Sequence, residues 1–455
     1  MTTNARPQPG LPRAYRFPEF DRRTLPNGMR LIIAPVHKLP VVSIIAVVEA
    51  GATSDPSGQE GLAQLTARTL VEGTAALNGV ELTERLEGIG SSIEPLTDWD
   101  HVSASTTVLT ARARTALKLL GDVLMSPAFP EREIERLKRE RLAELMQQRA
   151  EPRGLADEMF SRFLYGAESR YAEPEGGNEQ SVGALVRADV TAFHHQRYRP
   201  DTTLLVIAGD ISTADAERMV EEMFGMWTGS APVPALVRDR PARQTRGMHL
   251  VAKTDAPQSE LRIGHVGVPR LHPDYFSLVI MNAILGGLFS SRINLNLREV
   301  HAYTYGAFSA YDWRRGAGPF VVSTAVKSDV TEGAVREVVH EIERMREAKP
   351  TKEELSLATS YLDGVFPIRY ETTAAIAGAL ASMAVHGLPD DYFDCYRERI
   401  RAVTADDVLA AARAHLHPEQ LQITVVGDPR VVRAPLEQLA LAAMAVYDTN
   451  GTPLR

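Results

Sequence analysis

Twelve histidines and one cysteine are the first residues to test for chemistry in this 455-residue chain. His194 and His195 are adjacent, and His415 and His417 stand two apart, in stretches that read as helical. Side chains one or two positions apart on a helix point in different directions, so neither pair chelates a single ion, and capping, surface or core roles are expected. The lone Cys395 excludes an intrachain disulfide framework and a thiolate zinc cluster. In the helical run PDDYFDCYRERI it reads as a small buried apolar residue. No GxxxxGK[ST] phosphate loop, dinucleotide GxGxxG, GxSxG nucleophile elbow or HExxH occurs anywhere in the chain. Enzymes built on those chemistries are thereby set aside.

The elements that would position any site repeat along the chain. The stretch 189–212, DVTAFHHQRYRPDTTLLVIAGDIS, and the stretch 403–429, VTADDVLAAARAHLHPEQLQITVVGDP, share one grammar. Each reads as a capped amphipathic helix, a break at Pro200 or Pro418, an apolar strand, and a terminal Gly209-Asp210 or Gly427-Asp428. Their separation is about half the chain, which implies an internal duplication. Upstream of each copy come a strand and two long helices. In EREIERLKRERLAEL, apolar Ile134, Leu137, Leu142 and Leu145 mark one buried helix face among charges. The segment 229–247, rich in Pro and Arg and without periodicity, reads as a linker between domains at 17–228 and 248–440. Strands such as MRLIIAPV mixed with these helices give an α+β class, each domain a mixed β-sheet covered by helices.

Composition fits a folded soluble chain: 44% apolar and 24% charged residues are near the globular averages. At about 150 residues per domain the length also calls for two or more. A net charge of −8 offers no basic field for phosphate backbones, so no nucleic-acid partner is expected. The opening MTTNARPQPGLPRAYRF lacks the continuous apolar core of a signal peptide, and no later run reads as about 18 consecutive apolar residues. No membrane association and a cytoplasmic location are the expectation.

The segment 41–74, VVSIIAVVEAGATSDPSGQEGLAQLTARTLVEGT, resembles the start of the insulinase-like zinc peptidases of family M16, which include the mitochondrial processing peptidases. In active members the helix after the Gly-rich turn carries an inverted motif, His-x-x-Glu-His. Two imidazoles four residues apart hold one Zn²⁺, and the glutamate takes a proton from the metal-bound water. Here the matching residues are Gln64, Leu65, Thr66, Ala67 and Arg68. Gln64 offers a neutral amide, Ala67 accepts no proton, and Arg68 puts a permanent cation in a ligand's place. Glu144 matches the spacing of the family's third ligand, and is expected either on the surface or paired with Arg68. No metal is therefore expected at these positions.

The segment 290–311, SSRINLNLREVHAYTYGAFSAY, is similar to the part of the family's zinc-free half where an arginine and a tyrosine reach the bound peptide near the scissile bond. Arg298 and Tyr305 match that pair. The guanidinium can donate two parallel hydrogen bonds to a carbonyl or carboxylate, and the phenol can stabilise charge on a tetrahedral oxygen. Without the resemblance, Arg298 would be read as pairing with Glu299 and Tyr305 as a core aromatic. The resemblance, covering about 17–429, further implies two homologous domains forming a half-shell, a substrate-adding sheet edge near 93–108, and a partner chain that retains His-x-x-Glu-His. This chain would be the non-catalytic subunit of that heterodimer, with zinc in the partner and peptides as substrates. A non-catalytic scaffold and a peptide-binding homodimer are the rival readings.

Overall fold

Unbroken apolar runs make the central strands of two sheets. VVSIIAVV (β3, Val41–Val48) and TLLVIAG (β6, Thr203–Gly209) are buried along nearly their whole length, as are QSELRIGHV (β8, Gln258–Val266) and QITVVG (β11, Gln422–Gly427). Strands with both faces covered need no polar alternation. The computed structural model describes residues 14–232, 237 and 239–454. Most of the N-terminal stretch read above as lacking an apolar core, and residues 233–236 and 238 of the linker, lie outside that range.

The first sheet adds β1 (Asp21–Thr24), β2 (Arg30–Pro35), β4 (Glu94–Thr97) and β5 (Val102–Leu109) in the order β1-β2-β6-β3-β5-β4. The second adds β7 (Gly247–Ala252), β9 (Ala307–Tyr311), β10 (Pro319–Lys327), β12 (Met444–Tyr447) and β13 (Pro453–Leu454) in the order β13-β12-β7-β11-β8-β10-β9. The order β2-β6-β3-β5-β4 recurs as β7-β11-β8-β10-β9. In each, the first two strands are parallel and the rest antiparallel. The Gly-Asp that ends each repeat has a steric reason in the first copy: Gly209 has φ +149°, and a Cβ there would fall 2.2 Å from the Val41 carbonyl oxygen.

The boundary at 229–247 falls between the sheets, but the covering helices cross it. The helix Pro152–Leu164 packs on β8 and β11 of the second sheet, while Thr373–Val385 packs on β3 and β6 of the first. Ser43 and Thr373 hydroxyls meet at 2.8 Å, and Arg262 on β8 donates to Asp157 at 2.5 Å. One core runs through both halves, joining Ile32, Val47, Leu204 and Val206 to Leu250, Leu261, Ile263 and Leu380. The described linker residues are tied down as well: Ala242 N–H donates to Leu164 and Ala317 N–H to Asp239. The second sheet continues past residue 440 to Leu454.

The run Tyr275–Val300 corrects one expectation, being long and apolar enough by composition to cross a bilayer. Over half of its most apolar stretch is buried in the protein, and the chain breaks at Leu288, whose backbone is extended. It is the core helical run of the second half. Cys395 also departs from its expectation. It is partly exposed, because Tyr392, Phe393 and Tyr396 take the inner face of its helix.

Candidate functional site

The helix Leu62–Thr69 starts from Gly61 in the left-handed region at φ +96°. Asp55 holds that start: its carboxylate accepts from Gly61 N–H at 2.8 Å and Ala63 N–H at 2.7 Å, and Arg170 donates to it at 3.0 Å. The Asp55 side chain is out of solvent, and burial pushes its carboxyl up to about 6 against the pull of Arg170 and the two amides. Arg170 also donates to the carbonyls of Ala52, Pro174 and Glu175, fixing the loop that follows.

Gln64 and Arg68, four residues apart, face the long helix Glu131–Ala150. Gln64 lies against the turn at Gly176, where a Cβ would fall 2.3 Å from its Oε1. Arg68 Nη1 donates to both oxygens of Glu144, at 3.0 and 3.2 Å. Arg141 reaches the same carboxylate at 3.3 Å and donates to the Gly176 carbonyl at 3.0 Å. Glu140 lies 3.8 Å from Arg68 and is held by Arg136, which also meets Glu72 and Glu133. Ala67 is buried. These residues do not fit a zinc ion: of the ligand set only Glu144 is present, and two guanidiniums already neutralise it. Asp55, Arg170 and Arg141 escaped the sequence reading. Asp55 was visible as an acid beside a helix start, but its partner Arg170 is 115 residues away.

In the second half, polar residues at 292, 294 and 296 pin the segment that carries Arg298. Arg292, nearly buried, makes a two-pronged contact with Glu354 at 2.7 and 2.8 Å. Asn294 donates to Phe289 O and accepts from Ala307 N–H. Asn296 donates to Glu341 and Glu337. Residues Leu295–Val300 form a π-helical turn, a form concentrated at functional sites. The chain then reverses through Ala302 at φ +54°. Thr304 Oγ1 donates to the carbonyl of Ala325 and accepts from Gly306 N–H, which fixes the turn and drives Tyr305 outwards.

Tyr305 is 94% exposed, not a core aromatic. Arg298 lies 3.5 Å from Glu299 and stacks its guanidinium 4.5 Å over the Phe289 ring, itself 71% exposed. Val300 and Phe308 are exposed beside them in sequence. The strand edges differ. On β9 two backbone groups are taken by side chains, since Asn282 donates to Ser309 O and Asn294 accepts from Ala307. On β4, the outer strand of the first sheet, Pro95 removes a donor. Of the histidine pairs, His194 is half-buried and donates to Leu124 O, and His195 meets Arg199.

Residues 32–170 match the family Insulinase (Peptidase family M16), and residues 184–362 match the Peptidase M16 inactive domain. The chain belongs to peptidase family M16. It is 23% identical over 435 residues to an uncharacterized zinc protease of Mycobacterium tuberculosis, covering 95% of this chain and 98% of that one. It is 22% identical over 430 residues to a probable mitochondrial-processing peptidase subunit beta of Arabidopsis thaliana, covering 90% and 78%. A solved peptidase M16 inactive domain from Pseudomonas fluorescens superposes with TM-score 0.84 at 27% identity, covering 90% of this chain and 98% of that one. A protease from Helicobacter pylori shares the fold with TM-score 0.85 at 18% identity, covering 90% and 100%. In this M16 chain, then, the helix Leu62–Thr69 has Gln64, Ala67 and Arg68, none of them a zinc-ligand type.

Proposed function

We propose that this chain is the zinc-less, non-catalytic subunit of a heterodimeric M16 zinc metallopeptidase. It pairs with a chain carrying His-x-x-Glu-His and supplies Arg298 and Tyr305 to that partner's active site for peptide proteolysis. The observation that carries the reading is the contrast between Tyr305, held in solvent by a pinned turn, and the metal position, closed by Arg68 and Glu144. An arginine over an exposed phenylalanine and a projecting tyrosine do little for the stability of this chain alone. Donors aimed at a developing oxyanion are where such groups have large effects. The repeated strand order supports the internal duplication that would place these groups opposite a partner's metal helix.

The test is co-expression with a candidate zinc-bearing subunit, followed by peptide cleavage assays. Activity is expected in the pair and absent in this chain alone. Chelator-sensitive hydrolysis by this chain alone would overturn the proposal, as would a pair whose activity is unchanged by Arg298→Ala and Tyr305→Phe together.

A further inference from the structure

Four of the twelve histidines gather at one place in the second half. His265 is near the end of β8, His272 stands in the following turn, His415 ends the helix Ala405–His415, and His417 lies two residues beyond it. The rings of His272 and His415 are 4.6 Å apart, and those of His265 and His417 5.1 Å. Asp274 joins them: His415 Nε2 donates to its Oδ2 at 2.7 Å, and His272 Nδ1 lies 4.0 Å from the same oxygen. One nitrogen of each of His272 and His415 and one oxygen of Asp274 lie within 4.8 Å of one another.

Asp274 immediately precedes the helix Tyr275–Asn282, where an aspartate ordinarily caps the free amides, yet its side chain makes no cap bond. Its carboxylate is committed to His415 instead. His415 stands two residues from His417 but 141 from Asp274, so a search within one helix passes over the group.

We propose that His272, Asp274 and His415 bind one divalent first-row transition ion, of the zinc, cobalt or nickel kind, at a site separate from the family's metal helix. Bonds of about 2.0–2.1 Å place ligand atoms roughly 3.0–3.4 Å apart. The observed 2.7 and 4.0 Å bracket that spacing. Occupancy takes a small turn of His272, which gives up the 3.2 Å hydrogen bond from Asp274 N–H to its Nδ1. Two imidazoles and one carboxylate select such ions over magnesium or calcium, and three protein ligands leave room for water. The ion would staple the turn that opens the Tyr275–Val300 run to the end of the Ala405–His415 helix.

The test uses the untagged full-length chain, stripped with chelator and dialysed against Zn²⁺ or Co²⁺, with bound metal measured by mass spectrometry and the Co²⁺ visible spectrum. One ion per chain is expected. Asp274→Asn and His415→Ala should each weaken it about tenfold or more. Arg68→Ala and His195→Ala should leave it unchanged. His272→Gln, with melting curves recorded for every variant, covers the case in which His415→Ala fails to fold. Less than one ion per folded chain, or binding that survives loss of both His272 and His415, would overturn the proposal and leave a plain His–Asp hydrogen bond between two helices.

Discussion

The helix after β3 and the helical run after β8 hold equivalent places in two sheets of like strand order, but they are finished differently. In the first half the face carrying Gln64 and Arg68 is saturated: Glu144 has two arginine partners and Asp55 caps the helix from inside the core. In the second half a pinned backbone presents Arg298 over Phe289 and leaves Tyr305 in water. The face of Gln64 and Arg68 is closed by an internal salt-bridge network. The position offered outward is pinned in its backbone and exposed in its Tyr305 side chain.

That contrast breaks most sharply under mutation. Asp55→Ala should lower unfolding free energy by about 1–3 kcal/mol, because it uncaps a helix and takes the charged acceptor from Arg170, whereas Tyr305→Ala should stay within about 0.5 kcal/mol. Urea titration of both variants checks it, and comparable losses would remove the distinction between the halves. Activity should invert the order. In the reconstituted pair, Arg298→Ala is expected to lower kcat/KM by about 10²–10³, the range for losing a transition-state donor, while Arg68→Ala leaves it near wild type.

Acid should act on two kinds of buried group in opposite senses. Burial holds His249, His265 and His386 in the second half, and His194 in the first, down at about 4. Their stability contribution is complete above the ordinary imidazole value and is lost as pH falls from about 6.5 towards 4. Burial raises Asp55 to about 6 and Glu175 to about 7, both in the first half, and protonating them favours the native state. The four histidines outnumber the two carboxylates, so among these groups stability should fall as pH drops from about 6.5 towards 4. Thermal melts at stepped pH read the slope, which Asp55→Asn should steepen and His249→Gln flatten. Arg68→Ala should cost no more than about 1 kcal/mol, since both partners are partly exposed. Extending it to Gln64→His, Ala67→Glu and Arg68→His should restore zinc binding with Glu144. Failure of the triple variant to take up zinc would show that the scaffold has changed along with the ligands.

The sequence by itself determined what is local or periodic. Apolar runs such as TLLVIAG marked the central strands, and the spaced Ile134, Leu137, Leu142 and Leu145 marked a helix face on which all but the half-buried Leu142 are buried. The residue types at 64, 67 and 68 could be read directly as poor zinc ligands, because ligand chemistry belongs to side-chain type and spacing. Tertiary structure decided whatever depends on residues distant in the chain. It chose the Arg68–Glu144 pair over a solvated glutamate, joined Asp55 to Arg170 and His415 to Asp274, and exchanged the helices Pro152–Leu164 and Thr373–Val385 between the sheets. The physical reason is common to all of these. An amphipathic helix records in its sequence that it must bury a face, but which sheet or counter-charge completes that burial is settled only when the whole core closes.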